Sequence, residues 1–290
     1  MLKKLLKHDL KSINGVGCMM LIVMAVTTLF ALLSFKSPMW EAMFSDSAYG
    51  FKFGIADLIG IIGIIFYFII VSVMSFVFLI FLGYNFYRSM YSDRGYLTHT
   101  LPVTQSRLFL SKVLSGAIWT FVINLAMMFS FLAIIVGIIN VILSGAGMEW
   151  GVFWKEFSME WSDFVEISRT EGGVSIGSFM VVLGIFFLLS PVISVVIMFG
   201  SLTLGQLAKS ARAVLGVVWY LLILFLLMLI SYVISFISTL SMFTSGEYSD
   251  MMMLKDYQYT YSITLVVQLI IAVVLWIVSV KILKKKINLH

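Results

Sequence analysis

The chain has 290 residues, of which 61% are apolar, 15% aromatic and only 11% charged, against roughly 45 to 50% apolar and about 25% charged in ordinary globular domains. That composition excludes a water-soluble domain, and it excludes a disordered chain, which needs low hydrophobicity and high charge; the single cysteine, Cys18, excludes an internal disulfide framework. A net charge of +5 would suit nucleic acid in a soluble protein, but here the placement of the charges carries the information, and no nucleic-acid partner is expected.

A helix rises about 1.5 Å per residue and the hydrocarbon core is about 30 Å thick, so a span needs roughly 20 residues without charge. Six windows satisfy this: Ser12 to Phe35, Leu58 to Tyr87, Val113 to Met148, Gly172 to Ala208, Ala213 to Gly246 and Tyr257 to Val280. The expected fold is therefore all-α, a single polytopic membrane domain over residues 1–290 with helices crossing at about 13–35, 58–86, 113–143, 179–207, 213–240 and 260–281. The third, fourth and fifth windows have room for one long helix and an interfacial shoulder, but not for two spans and a turn.

Before the first span, Leu2, Leu5, Leu6, Leu10 and Ile13 recur at helical spacing among Lys3, Lys4, Lys7 and Lys11. This predicts an amphipathic leader able to lie in the membrane interface. The first apolar stretch is too long for a secretory signal and has no small-x-small cleavage pattern before Lys36, so an uncleaved helix is expected.

With both termini cytoplasmic, the inner segments carry 14 of the 19 Lys and Arg residues and the outer segments five, namely Lys36, Lys52, Lys155, Arg169 and Lys255. The positive-inside rule fixes that orientation. It places the segment 88–112, between the second and third spans, in the cytoplasm. There Pro102 disfavours helix at Leu101 and Thr104 suits an N-cap, so the segment reads as helix, sharp break and second helix. Its apolar side chains Tyr96, Leu97, Leu101 and Val103 beside basic ones predict a docking surface.

Asp93, Gly95, Tyr96, Leu97, Thr100, Leu101, Pro102 and Val103, followed by Ser111 and Lys112, resemble the permease of ATP-binding-cassette transporters of the type-2 exporter class, in particular those of Gram-positive bacteria. Gly205, Gln206 and Leu207 before Lys209 are similar to the same group. The topology matches along the whole chain and the specific motifs along a few tens of residues. The resemblance implies an exporter in the bacterial plasma membrane that forms the translocation path and works with a second permease, as a homo- or heterodimer, and a separate ATPase subunit. It further implies that Gly95, Tyr96, Leu97, Leu101, Pro102 and Val103 form the coupling loop seated on that ATPase. No Gly-x-x-x-x-Gly-Lys-Ser/Thr occurs, so the chain lacks that phosphate cradle, and ATP is expected on the partner; no cofactor and no enzymatic activity are expected in this chain. A membrane-embedded binding or immunity protein acting without ATP is the alternative reading.

Further along, Trp150, Phe153, Trp154, Phe157, Trp161, Phe164 and Val165 recur at three- and four-residue steps within 149–171, which predicts an interfacial helix outside the membrane, as an anchor or as a lid over a path. Gly173, Ser175 and Gly177 satisfy Gly-x-Ser-x-Gly, but His8, His99 and His290 all fall on the other side of the membrane from Ser175, so no base is in reach and a hydrolase is not expected. In the fourth span Pro191 predicts a kink, with Ser190 and Ser194 placed to satisfy freed carbonyls. Inside the spans the conspicuous polar groups are Asn124, Asn140, Gln206 and Gln268; Gln268, near the middle of the sixth span, is the candidate path-lining group. No charged residue lies deep in any span, which argues against an ion-coupled transporter, and no His, Cys or carboxylate cluster has metal-ligand spacing.

Overall fold

The computed structural model describes residues 2–44, 54–92, 95, 103–170, 175–245 and 252–285. Among these residues there are eight helices and no strand: α1 (Leu2–Ser34), α2 (Pro38–Met43), α3 (Ile55–Tyr91), α4 (Gln105–Ala146), α5 (Trp150–Thr170), α6 (Ile176–Gly205), α7 (Arg212–Ser245) and α8 (Met252–Lys285). Six of them, all but α2 and α5, are long and apolar enough to cross a membrane. In their most apolar stretches only 11 to 28% of the residues are buried. The rest of that surface is side chains such as Ile22, Phe76, Ile80 and Val181, which only a hydrocarbon solvent accommodates. The chain is thus an all-helical, multi-pass membrane protein.

Each predicted span coincides with one of these helices, but the spans at 13–35 and 179–207 run one and two residues past the ends of α1 and α6. The basic leader does not form a separate element: α1 runs from Leu2 to Ser34 without interruption. Nothing between Lys11 and Ile13 breaks a helix, and Gly15 and Gly17 within the span lack only propensity. At the far end of the segment 88–112, Thr104 does begin a helix, its carbonyl accepting from Arg107 N at 2.9 Å and Leu108 N at 3.1 Å. Pro191 is buried within α6, and the Ser190 hydroxyl donates to Phe187 O at 3.4 Å, the carbonyl that the missing proline N–H leaves unserved. Ser194 donates to Pro191 O at 3.1 Å.

The contacts divide the chain into two compact units, one of Met1–Ser12, Leu82–Ile118 and Ser162–His290, the other of Ile13–Phe81 and Trp119–Trp161. In the first, α6 pairs closely with α7 and α8. Phe86 stacks on Phe199 with centroids 4.1 Å apart and 7° between planes, and Phe109 meets Phe86 and Trp276 edge-on at 6.0 and 5.0 Å. Such pairs add roughly 0.5 to 1.5 kcal/mol beyond their buried area. This matters in lipid, where hydrophobicity alone does not favour helix on helix over helix on acyl chain.

The turn between α6 and α7 contains Ala211, whose φ of 52° lies in the left-handed region. An L-residue with a Cβ is disfavoured there, and Ala211 is exposed, so nothing else requires its methyl group. Ala211→Gly should raise stability by about 0.5 to 1 kcal/mol, read from the midpoint of an SDS unfolding titration followed by tryptophan fluorescence.

In the second unit, Ala31, Phe35, Tyr67, Val71, Ile134 and Val141 form the core. Inside it the Tyr67 hydroxyl lies 2.5 Å from Ser130 Oγ, which lies 2.7 Å from Thr28 Oγ1, so one chain of hydroxyls ties α1, α3 and α4 together. Asp57, in the first turn of α3, accepts from Ser37 Oγ at 2.5 Å, Met39 N at 2.9 Å and Gly54 N at 2.8 Å. One carboxylate thereby holds the α1–α2 turn, the start of α2 and the start of α3.

Candidate functional site

The segment 88–112 joins α3 to α4, and both of its roots are fixed by specific contacts within the first unit. On the α3 side, Phe86 and Met90 are buried and the Tyr91 hydroxyl donates to Thr203 Oγ1 at 2.9 Å. Thr203 in turn donates to Phe199 O at 2.8 Å, one turn back along α6. On the α4 side, Lys112 Nζ lies 2.6 Å from Asp9 Oδ1, and Ser111 Oγ donates to Asp9 Oδ2 at 2.7 Å. The Asp9 side chain is 4% exposed and that of Lys112 15%, so this ion pair is largely withdrawn from water. Both carboxylate oxygens are engaged, which a pair needs if attraction is to offset desolvation. Further along α1, Ser12 and Asn85 meet side chain to side chain, the Asn85 amide donating to Ser12 Oγ at 2.9 Å. The leader is thus fastened to the start of α4 and to α3.

Of the six residues assigned to the coupling loop, Gly95 is helical and buried, with its N–H on Ser92 O at 2.6 Å, and Val103 is half-buried immediately before the α4 N-cap. Tyr96, Leu97, Leu101 and Pro102 lie outside the described residues, as do Asp93 and Thr100.

Gly205 closes α6 and Gln206 is its C-cap, with Gln206 Nε2 on Leu202 O at 3.3 Å. A Cβ on Gly205 would lie 2.5 Å from Arg212 O, 2.6 Å from Gly216 Cα and closer still to Gly216 N. One on Gly216 would lie 2.9 Å from Leu202 Cα. Glycine at 205 and 216 therefore lets the backbones of α6 and α7 touch where the chain turns from one into the other.

Gln268 is half-buried on α8. It continues a line that ascends the helix at four-residue steps from Asp256 through Thr260 and Thr264. Asp256 Oδ1, Thr260 Oγ1 and Thr264 Oγ1 are buried side-chain oxygens with no hydrogen-bond partner among the described residues. In a span each such atom is costly unless something polar meets it. The sequence contained this signal as a four-residue period of polar groups, but each of the three is unremarkable alone, and Gln268 was singled out without them.

Trp150 to Thr170 is helical, as its aromatic period requires, and its rings form a continuous ladder: Trp150 to Trp154 at 6.4 Å, Phe153 to Phe157 at 5.9 Å and Phe157 to Trp161 at 6.0 Å. Trp154, Phe157 and Trp161 are all exposed, the arrangement of an aromatic belt at a membrane surface. Ser175 occupies the N-cap position of α6, with extended φ and ψ of −74° and 128° and no side-chain capping bond; Gly173 lies outside the described residues. Of the amides, Asn140 accepts from Trp150 Nε1 at 3.3 Å.

No protein-family model, curated protein or solved structure matches the chain.

Proposed function

We propose that this chain is the membrane-spanning permease subunit of an ATP-binding-cassette transporter, an exporter of the type-2 class in a bacterial plasma membrane, driven by a separate ATPase subunit and paired with a second permease. The observation that carries the reading is at the segment 88–112, an apolar sequence whose two roots are locked, one to α6 through Tyr91 and Thr203, the other to α1 through Lys112 and Asp9. A load applied to a loop with frayed roots dissipates in the loop. Applied here, it passes directly into three membrane-spanning helices, α3, α4 and α6, and into the leader of α1. In this reading both termini are cytoplasmic, Tyr96, Leu97, Leu101, Pro102 and Val103 with Gly95 are the surface the ATPase grips, and the polar line from Asp256 to Gln268 on α8 borders the path. ATP binds to the partner and never to this chain.

The test is to co-express the chain with an ATPase encoded beside its gene and purify the complex. Tyr96→Asp and Leu101→Asp should each weaken the complex by about 30-fold or more, the loss that follows when an apolar hot spot worth 2 kcal/mol is replaced by a charge. Unchanged complex formation and unchanged ATPase activity would defeat the reading. In a Cys18→Ser background, His99→Cys should react with an impermeant thiol reagent only from the cytoplasmic side, and labelling from outside would defeat it as well.

A further inference from the structure

A cavity of about 740 Å³ opens in the second unit, between the end of α1 and the second half of α4, with Trp150 at its rim. That volume lies within the range of about 300 to 1,000 Å³ typical of small-molecule sites. Its lining is graded along α4. Over the first turns it is hydrocarbon, with Leu132 and Val136 facing Leu32 of α1. Two to three turns on it becomes polar, with Asn140, Ser144 and the Trp150 indole, and Lys36 also lines it. From Leu132 to Ser144 is 12 residues, about 18 Å of helix axis.

The polar end is prepared for an acceptor. Trp150 Nε1 donates to Asn140 Oδ1, which turns the amide so that its two N–H donors remain available. The Lys36 ammonium makes no ion pair among the described residues, and no acidic side chain lines the cavity. Gly137 keeps the groove open in the middle: a Cβ there would come within 3.0 Å of Leu32 Cδ2 and Phe35 Cδ2. A tryptophan and a lysine at one end of an apolar stretch also mark the level of lipid headgroups.

We infer that this groove holds one phospholipid with an anionic headgroup, its phosphate on Lys36 and the Asn140 amide and one acyl chain laid along Val136 and Leu132. An apolar groove alone would accept any chain; the lysine that lines it selects the charge. The site does not depend on the transport reading and would stand or fall without it.

The experiment is native mass spectrometry of the full-length protein, delipidated in detergent and then offered phosphatidylglycerol, phosphatidylcholine of the same acyl chains, or water-soluble glycerol 3-phosphate. One phosphatidylglycerol should be retained about fivefold better than phosphatidylcholine, the ratio that roughly 1 kcal/mol for a surface lysine converts to. Lys36→Gln should reduce that ratio to parity, Lys155→Gln should leave it unchanged, and Ala133→Phe, which fills the apolar end, should lower retention of both lipids. Lys36 is exposed, so its replacement does not endanger folding. Equal retention of the two lipids by the unaltered protein, an unchanged ratio in Lys36→Gln, or binding of glycerol phosphate alone would overturn the inference. A lipid-free dimer that Ala133→Phe dissociates would overturn it too, since a second copy would then occupy the groove.

Discussion

Replacing Gly205 with alanine should cost about 3 kcal/mol, the upper end of what overpacking ordinarily costs. The added methyl group would meet backbone on three sides: the carbonyl of Arg212 at 2.5 Å, Gly216 Cα at 2.6 Å and the Gly216 nitrogen. Side chains escape a clash by changing rotamer, but backbone atoms at a helix terminus move only if the whole of α7 shifts. Gly184, in the same helix, is the built-in control, because nothing lies within 4 Å of where its Cβ would be. Gly184→Ala should be neutral or gain up to about 1 kcal/mol from reduced backbone entropy in the unfolded chain. The two variants differ by the same single methyl group in one helix, so SDS unfolding midpoints that respond alike would show that α6 and α7 do not meet at Gly205. Gly205 also belongs to the short Gly205-Gln206-Leu207 stretch singled out in the sequence. The close approach of α6 and α7 gives that glycine a reason to be there that needs no ligand.

The second large effect is expected at Asp9. Asp9→Asn keeps the shape and removes the charge, which leaves the Lys112 ammonium largely buried without its counterion. Breaking a buried pair from one side costs about 3 to 5 kcal/mol, and because Lys112 keeps 15% exposure the lower figure applies. The double variant Asp9→Asn with Lys112→Met should recover most of that loss, since a buried pair replaced as a unit by neutral groups of similar volume is often close to neutral. A thermodynamic cycle over the four proteins should therefore show strong coupling between two positions 103 residues apart in sequence. Additive losses would show that the leader and the start of α4 are not joined. Under the proposed function there is a further consequence: the double variant should bind the ATPase normally yet transport more slowly, because the docking residues are intact while one root of the loop has been released from α1.

The sequence made some of this legible and not the rest. Charge-free stretches of 20 residues or more announced the six spans, and a three-and-four aromatic period announced α5 from Trp150 to Thr170. Pro102 and Thr104 located the start of α4 to within one residue. These are properties of neighbouring residues, where a hydrophobic period or a missing N–H acts within a turn or two. The leader was read as amphipathic and able to lie in the interface, but it continues straight into the first span. What the sequence did not show is where the leader is fastened, through Asp9, an acid among lysines whose partners lie 102 and 103 residues away.

What the sequence by itself determined, then, is the number and type of the membrane helices. Only the tertiary structure decided which of their few polar groups meet, Asp9 with Lys112, Tyr91 with Thr203, and Tyr67 with Ser130 and Thr28, and that Asn140 and Lys36 line one groove. The reason is physical. In lipid the apolar face a helix turns to its neighbour and the one it turns to acyl chains are equally favourable by transfer, so hydropathy carries no information on rotation or register. Those are set by close packing at residues such as Gly205 and by hydrogen bonds between distant side chains, which exist only once the helices are side by side.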